Sequence, residues 1–158
     1  MPQLDEIFGI AIKAEIDAAE VYGKLAESVD MFLLKDKFRF LEKEEKSHRT
    51  LLEKLFENKF PGKKVSVPDE SQVPLPQVKI EEGAPLSGIL DQAMNAERAA
   101  AEFYKEMEGN MYEENEKAIA RYLSSMEESH YYLLKSEKEI AYNFELYDEV
   151  HEMMHVGP

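Results

Sequence analysis

The 158-residue chain contains no cysteine and no apolar run of the length that spans a membrane. Without cysteine, the sequence excludes disulfides, thiol catalysis, iron–sulfur clusters and zinc sites of the cysteine type. Its first residues have neither the basic nor the apolar region of a signal peptide. We therefore expect a cytoplasmic protein with no membrane partner.

Basic residues are also scarce, since 19 Lys and Arg stand against 33 Asp and Glu and give a net charge of −14. This charge argues against a nucleic acid or an anionic membrane surface as the partner. It attracts cations, although acidity alone identifies no ligand. With 33% charged and 44% apolar residues, the composition favours one soluble helical domain that can bury a core.

What the sequence does contain is a pair of motifs that occurs twice. A Glu-x-x-His pattern follows, at a distance of 30 residues, the first residue of a Glu-x-x-Ala-x-x-x-Tyr pattern. The two copies, offset by 82 residues, place these motifs on Glu15, Tyr22, Glu45 and His48 and on Glu97, Tyr104, Glu127 and His130. Such a duplication predicts two similar helix pairs in a four-helix bundle.

Apolar residues three and four positions apart predict four helices, at about 4–27, 31–58, 87–108 and 113–139. Asp30 and Ser87 are the candidate N-caps of the second and third helices, and Gly109 with Asn110 ends the third. An amphipathic segment at 140–155 either extends the fourth helix or folds back as a fifth. We thus divide the chain into an all-α bundle at 1–140 and a C-terminal helical extension at 141–158.

Residues 59–85 differ from the rest because they contain five of the seven prolines and show no helical period. Proline lacks the amide proton and favours extended geometry in its predecessor, so we expect a long extended connection. A link between antiparallel helices needs only a few residues. The length of this connection therefore predicts a crossover between parallel second and third helices.

Residues three apart on a helix share one face, so each Glu-x-x-His offers an oxygen and a nitrogen ligand to the same side. Counted from the predicted turns, Glu15 lies level with Glu45 and His48 in one hairpin. Glu97 lies level with Glu127 and His130 in the other. Four carboxylates and two imidazoles suit two divalent iron or manganese ions, because four negative charges balance two ions of charge +2. Metal binding should therefore stabilise the fold.

Several residues near these motifs have plainer interpretations. Glu20, Glu42 and Glu102 fit a solvated helix face. Tyr22 and Tyr104 either pack in the core or donate a hydrogen bond to a ligand carboxylate. The segment His151-Glu152-Met153-Met154-His155 matches the H-E-x-x-H pattern of zinc proteases, but a frayed amphipathic terminus explains it more simply.

The paired motifs, their spacing and the proline-rich crossover resemble the ferritin-like di-iron carboxylate proteins. The resemblance is closest to the rubrerythrin group and covers roughly residues 1–140. It implies a ferritin-like bundle that binds two iron ions per site, with manganese or zinc as alternatives, and reduces peroxide or dioxygen. It also implies that the six ligands are Glu15, Glu45, His48, Glu97, Glu127 and His130.

Two departures from the family pattern shape the functional expectation. Rubrerythrins proper carry a rubredoxin domain with four cysteines, which this chain lacks, so we expect an external electron donor such as a rubredoxin. They also have a further Glu one turn after the third-helix ligand, where this chain has Ala100, so the ligand set resembles the bacterioferritin-type centre. Ferroxidase activity, a non-catalytic metal-binding bundle and a metal-free scaffold remain as alternatives. We expect a homodimer, and the crossover is long enough to be exchanged between two chains.

Overall fold

Four α-helices form the computed structural model, which describes residues 3–70, 81 and 83–155. No strand occurs in these ranges, so the all-α prediction is confirmed. The helices are α1 (Leu4–Ser28), α2 (Phe32–Lys59), α3 (Leu86–Gly109) and α4 (Glu114–His155). No helix in the described part of the chain is both long and apolar enough to cross a membrane.

A regular inward stripe explains why α2 packs as it does. Every third or fourth residue along it is buried, namely Leu34, Phe38, Leu41, Glu45, His48, Leu52 and Leu55. This spacing puts all seven on one face of a helix. Burying each leucine or phenylalanine contributes about 1.5–3 kcal/mol to the stability of the fold. This apolar burial holds Glu45 and His48 inside the bundle.

The two predicted N-caps are wrong. Helix α2 begins after Met31 rather than after Asp30, and its cap residue makes no side-chain hydrogen bond. Helix α3 begins after Pro85, and Ser87 lies inside its first turn. The amide and the hydroxyl of Ser87 donate hydrogen bonds of 3.1 and 2.7 Å to the carboxylate of Glu145 in α4. A carboxylate from a neighbouring helix thus satisfies the start of α3, which local sequence cannot reveal.

Cross-helix hydrogen bonds establish the direction of α3 relative to α1. Tyr22, late in α1, donates to Glu97, which lies in the first half of α3. Tyr104, late in α3, donates to Glu15, which lies in the first half of α1. The two helices are therefore antiparallel.

Two ion pairs show that α2 and α4 are also antiparallel. Lys37 near the start of α2 pairs with Glu137, whereas Lys59 at the end of α2 lies 2.9 Å from Glu116 near the start of α4. Short links join α1 to α2 and α3 to α4, and the helices of each pair pack together, so both pairs are antiparallel as well. Helices α2 and α3 therefore run parallel. The connection between them must travel the length of the bundle, as its proline content and length predicted.

The first part of this crossover folds back along α1. Pro61 and Gly62 form a turn after α2, in which Gly62 adopts a positive φ of 77° and the amide of Lys63 donates to the carbonyl of Phe60. The chain then passes so close to α1 that a Cβ built on Gly9 would lie 2.0 Å from the carbonyl oxygen of Ser66. Residues 71–80 and 82, with two of the five prolines, lie outside the described residues.

Helix α4 continues without interruption to His155, so the terminal segment extends the fourth helix rather than folding back as a fifth. Ala141 is its last buried residue. The apolar side chains beyond it are exposed, among them Phe144, Tyr147 and Val150. The domain division at residue 140 stays a prediction, and the last three residues lie outside the described ranges.

Candidate metal centre

All six candidate ligands lie in one buried layer across the middle of the bundle. Each is at most 3% exposed, although every one carries an ionisable group. They are Glu15 from α1, Glu45 and His48 from α2, Glu97 from α3, and Glu127 and His130 from α4. Every helix therefore contributes at least one side chain to this layer.

Apolar layers close the cluster on both sides along the bundle axis. One contains Phe8, Leu52 and Leu123, and the other contains Phe38 and Leu90, all of them fully buried. Side chains of this kind leave little room for water. The ionisable cluster is thus held in a low-dielectric environment, where electrostatic interactions are stronger than in water.

The ligand atoms of the cluster form two groups of four. In each group the four ligand atoms all lie within 4.8 Å of one another, so each group could hold a metal ion. The first group comprises Glu15, Glu45, His48 and Glu127, and the second comprises Glu45, Glu97, Glu127 and His130. Since Glu45 and Glu127 belong to both groups, their carboxylates can reach two ions at once.

Each imidazole points its Nδ1 atom at the carboxylates, and lies closest to the one supplied by the opposite hairpin. Nδ1 of His48 is 2.9 Å from Glu127 and 3.3 Å from Glu45. Nδ1 of His130 is 3.0 Å from Glu45 and 3.8 Å from Glu127. The two rings are nearly parallel, with their centroids 5.7 Å apart. This arrangement joins the two hairpins at the site.

Burial and mutual repulsion perturb the carboxylates. Burial, together with the charges of Glu45 and Glu127, raises the pKa of Glu15 well above its usual range, and the same causes raise the pKa of Glu97. Burial also acts to raise the pKa of Glu45 and Glu127. Their contacts with the other carboxyl groups and with both imidazoles outweigh it, so the pKa of each is lowered. Of the four carboxyl groups, the two shared ones are therefore those that favour the ionised form.

The imidazoles respond in the opposite direction. Burial acts to lower the pKa of His48 and His130, but the surrounding carboxylates outweigh it. They raise the pKa of His130 to about 12 and raise that of His48 as well. Protonated histidines thus supply the positive charge that the carboxylates require when no cation is bound.

The donor set leaves many buried polar atoms without a hydrogen-bond partner, because close contacts in the layer are not aligned for hydrogen bonding. These atoms are both carboxylate oxygens of Glu45, one oxygen each of Glu97 and Glu127, and both ring nitrogens of His48 and His130. A buried polar atom left unpaired costs about 1–3 kcal/mol. Coordination to metal ions would satisfy the oxygens and one nitrogen of each ring, so the residues fit a pair of divalent cations.

Comparison with known proteins agrees with this geometry. A family model described as Rubrerythrin matches residues 6–138, which include the whole cluster. The chain belongs to the rubrerythrin family. The prediction of a ferritin-like bundle related to rubrerythrin is therefore confirmed.

A solved structure of a hypothetical protein from Pyrococcus furiosus is similar to this rubrerythrin-family chain. The two sequences are 43% identical, and the alignment covers 90% of this chain and 92% of the other, with a TM-score of 0.79. No curated protein matches the chain. Rubrerythrins are di-iron proteins, and the buried glutamates and histidines of this one could bind metal.

Two tyrosines hydrogen-bond to the outer carboxylates of this rubrerythrin-family centre. These are Glu15 and Glu97, each of which belongs to only one of the two ligand groups. Tyr22 donates a hydrogen bond to Glu97, and Tyr104 donates one to Glu15, so each phenol reaches from one hairpin to the other. Both tyrosines are buried, which together with the nearby carboxylates raises their pKa well above the usual value. The structure shows both of their predicted roles, since each tyrosine also packs in a buried apolar cluster. The sequence did not predict that the hydrogen bonds cross between hairpins.

Sequence reasoning missed two neighbours of His48. A carboxylate oxygen of Glu44 lies 3.9 Å from Nε2 of His48, and the ring of Tyr122 approaches the imidazole edge-on with centroids 6.4 Å apart. The i, i+4 spacing of Glu44 and His48 was visible in the sequence and could have identified the first. The second depends on how α4 packs against α2.

The remaining candidates lie apart from the centre. Glu20 and Glu102 are exposed, as expected for a solvated face. Glu42 is only half-exposed and pairs with Arg39 and Lys46, so the solvated interpretation fits it less well. The H-E-x-x-H segment sits on the end of α4, where His151 and Glu152 are exposed. The described surroundings therefore give the protease interpretation no support.

Proposed function

We propose that this rubrerythrin-family protein is a di-iron carboxylate oxidoreductase that reduces peroxide or dioxygen with electrons from a separate donor. The observation that carries the proposal is the pair of four-ligand groups that share Glu45 and Glu127. A single metal ion would not need two carboxylates positioned between two histidines. Two divalent ions would, and their four positive charges would balance the four carboxylates.

Each half of the centre has its own terminal ligands. Glu15 and His48 would hold one ion, and Glu97 and His130 would hold the other. Mixed oxygen and nitrogen ligands suit iron(II) or manganese(II) better than they suit metals that prefer thiolate ligands. Zinc is a further alternative. Two ferrous ions bound there would supply the two electrons that hydrogen peroxide, with two protons, requires to become two water molecules.

The protein's own side chains would prepare the site for this chemistry. The hydroxyls of Tyr22 and Tyr104 hold the carboxylates of Glu97 and Glu15 in place, so each outer ligand keeps its orientation. The apolar layers on either side exclude bulk water. That exclusion strengthens electrostatic interactions within the site and limits side reactions.

The proposal requires partners. The 158 residues contain no cysteine with which to build an iron–sulfur or rubredoxin-type centre, so we propose a separate reductant such as a rubredoxin. We also propose a homodimer, in which the crossover between α2 and α3 could be exchanged. The small-molecule oxidant is peroxide or dioxygen.

Metal content is the first test. Protein purified without an affinity tag and loaded anaerobically with iron(II) should retain about two irons per chain after desalting. Glu45→Ala should lose most of both ions because its carboxylate serves both halves. The matched control Glu20→Gln, an exposed acid in α1, should keep two. Full metal in Glu45→Ala, or none in the unchanged protein, would overturn the proposed centre.

Turnover is the second test. The reduced, iron-loaded protein should consume hydrogen peroxide repeatedly when a rubredoxin and its reductase supply electrons, and Glu45→Ala should not. Ferroxidase activity is the second candidate, favoured by Ala100 in the place of a further glutamate. It predicts iron accumulation well beyond two per chain and a large multi-subunit shell on size-exclusion chromatography. Stable metal binding with neither activity would indicate a non-catalytic bundle.

A further inference from the structure

The two imidazoles of the candidate metal centre have different neighbours at their outer nitrogen, Nε2. A carboxylate oxygen of Glu44, one turn earlier in α2, lies 3.9 Å from Nε2 of His48. One turn before His130, the duplicated position is Met126, and no described carboxylate makes an equivalent contact with Nε2 of His130. We propose that Glu44 is a positioning residue that makes the two metal subsites unequal, with the tighter ion on the His48 side. This inference rests on the proposed function.

The orientation of His48 explains why Glu44 matters. Its Nδ1 faces the carboxylate cluster, so metal binding there leaves the proton on Nε2. That nitrogen is buried and has no hydrogen-bond partner. The Glu44 side chain is 27% exposed, so it lies at the edge of the core with freedom to rotate. A small rotation would shorten the 3.9 Å separation to hydrogen-bonding distance.

A carboxylate behind a metal-bound imidazole strengthens the metal site in two ways. It fixes the tautomer and the orientation of the ring, and it increases the electron density that the ring donates to the metal. Removing such a partner typically weakens metal binding 10- to 100-fold. The thioether of Met126 is a weak acceptor and cannot replace it on the His130 side. The two halves of the repeat therefore have the same ligands but differ one turn before the histidine, where one half has Glu44 and the other has Met126.

A titration of the unchanged protein and three variants tests this without requiring the ions to be located. Cobalt(II) is added anaerobically to the metal-free, full-length protein, and its visible absorption reports each ion bound. We expect two steps whose affinities differ about tenfold or more. Glu44→Met should leave two weak steps, and Met126→Glu should produce two tight ones. The double exchange, Glu44→Met with Met126→Glu, has unchanged composition and should restore one tight and one weak step.

A purely structural role for Glu44 predicts a different result. Both steps would then weaken together in Glu44→Met, and the double exchange would not restore the tight step. Identical titrations of the unchanged protein and Glu44→Met would also overturn the inference. Thermal unfolding of each metal-free variant checks the fold, and Glu44→Ala replaces Glu44→Met if the latter unfolds. Failure of every variant to bind cobalt would instead refute the proposed centre, and this inference with it.

Discussion

The middle layer of the bundle and the apolar layers beside it use the same four helices in opposite ways. The apolar layers bury side chains such as Leu52 and Leu123, which need no partner and stabilise the fold by leaving water. The middle layer buries six ionisable groups and leaves several polar atoms unpaired. The comparison teaches that the apolar layers stabilise the fold, whereas the middle layer lowers the free energy of unfolding until it binds a ligand.

Metal loading should produce the largest difference between the two kinds of layer. At free metal concentrations near 1,000 times the dissociation constant, each bound ion adds about 4 kcal/mol to the free energy of unfolding. For a chain of this size, that corresponds to a rise in melting temperature of roughly 8–16 °C. Differential scanning calorimetry with and without metal measures it. Glu45→Ala should show little of this rise, and an equal rise in that variant would contradict the role of the middle layer.

Truncating an apolar layer should cost stability whether or not metal is present. Leu52→Ala removes a fully buried side chain and should lower the free energy of unfolding by about 2–5 kcal/mol in urea denaturation. Leu33→Ala is the matched control in the same helix, because Leu33 is 69% exposed and should cost less than about 0.5 kcal/mol. Loss of bound metal from folded Leu52→Ala would show that the layers are not separable.

The tyrosines link the two hairpins through the middle layer and should have nearly equal effects. Tyr22→Phe and Tyr104→Phe each leave a buried glutamate oxygen without its hydrogen-bond donor and should each destabilise the protein by about 1–3 kcal/mol. Chemical denaturation of the metal-free protein measures this. Tyr122→Phe, at a half-exposed position, is the control and should be nearly neutral. Clearly unequal effects of the two buried tyrosines would mean that their hydrogen bonds to Glu97 and Glu15 do not contribute equally to stability.

The smallest effect is expected at the end of the bundle, away from both layers. Ser87→Ala removes the hydroxyl that donates to Glu145 and should cost about 1 kcal/mol. Ser47→Ala, which loses only a bond to the carbonyl of Lys43 in its own helix, should cost less. Thermal unfolding compares the two variants. Equal losses would show that the contact between α3 and α4 contributes nothing beyond local helix structure.

The sequence predicted the four helices because an inward stripe of three- and four-residue spacing is visible without any tertiary information. The same logic identified Glu45 and His48, which stand on the stripe of α2 where apolar residues would be expected. The predicted caps at Asp30 and Ser87 were wrong because a cap depends on local geometry and on neighbours. In α3 the neighbour is Glu145, 58 residues away.

By itself, the sequence determined the duplication, the parallel crossover and the level at which the six side chains would meet, because helical rise and spacing are properties of each helix alone. Only the tertiary structure decided that Glu45 and Glu127 face both ligand groups, and that Tyr22 and Tyr104 each donate to a glutamate of the opposite hairpin. Those contacts depend on the separation and rotation of packed helices. The periodicity of a single chain segment carries no information about either.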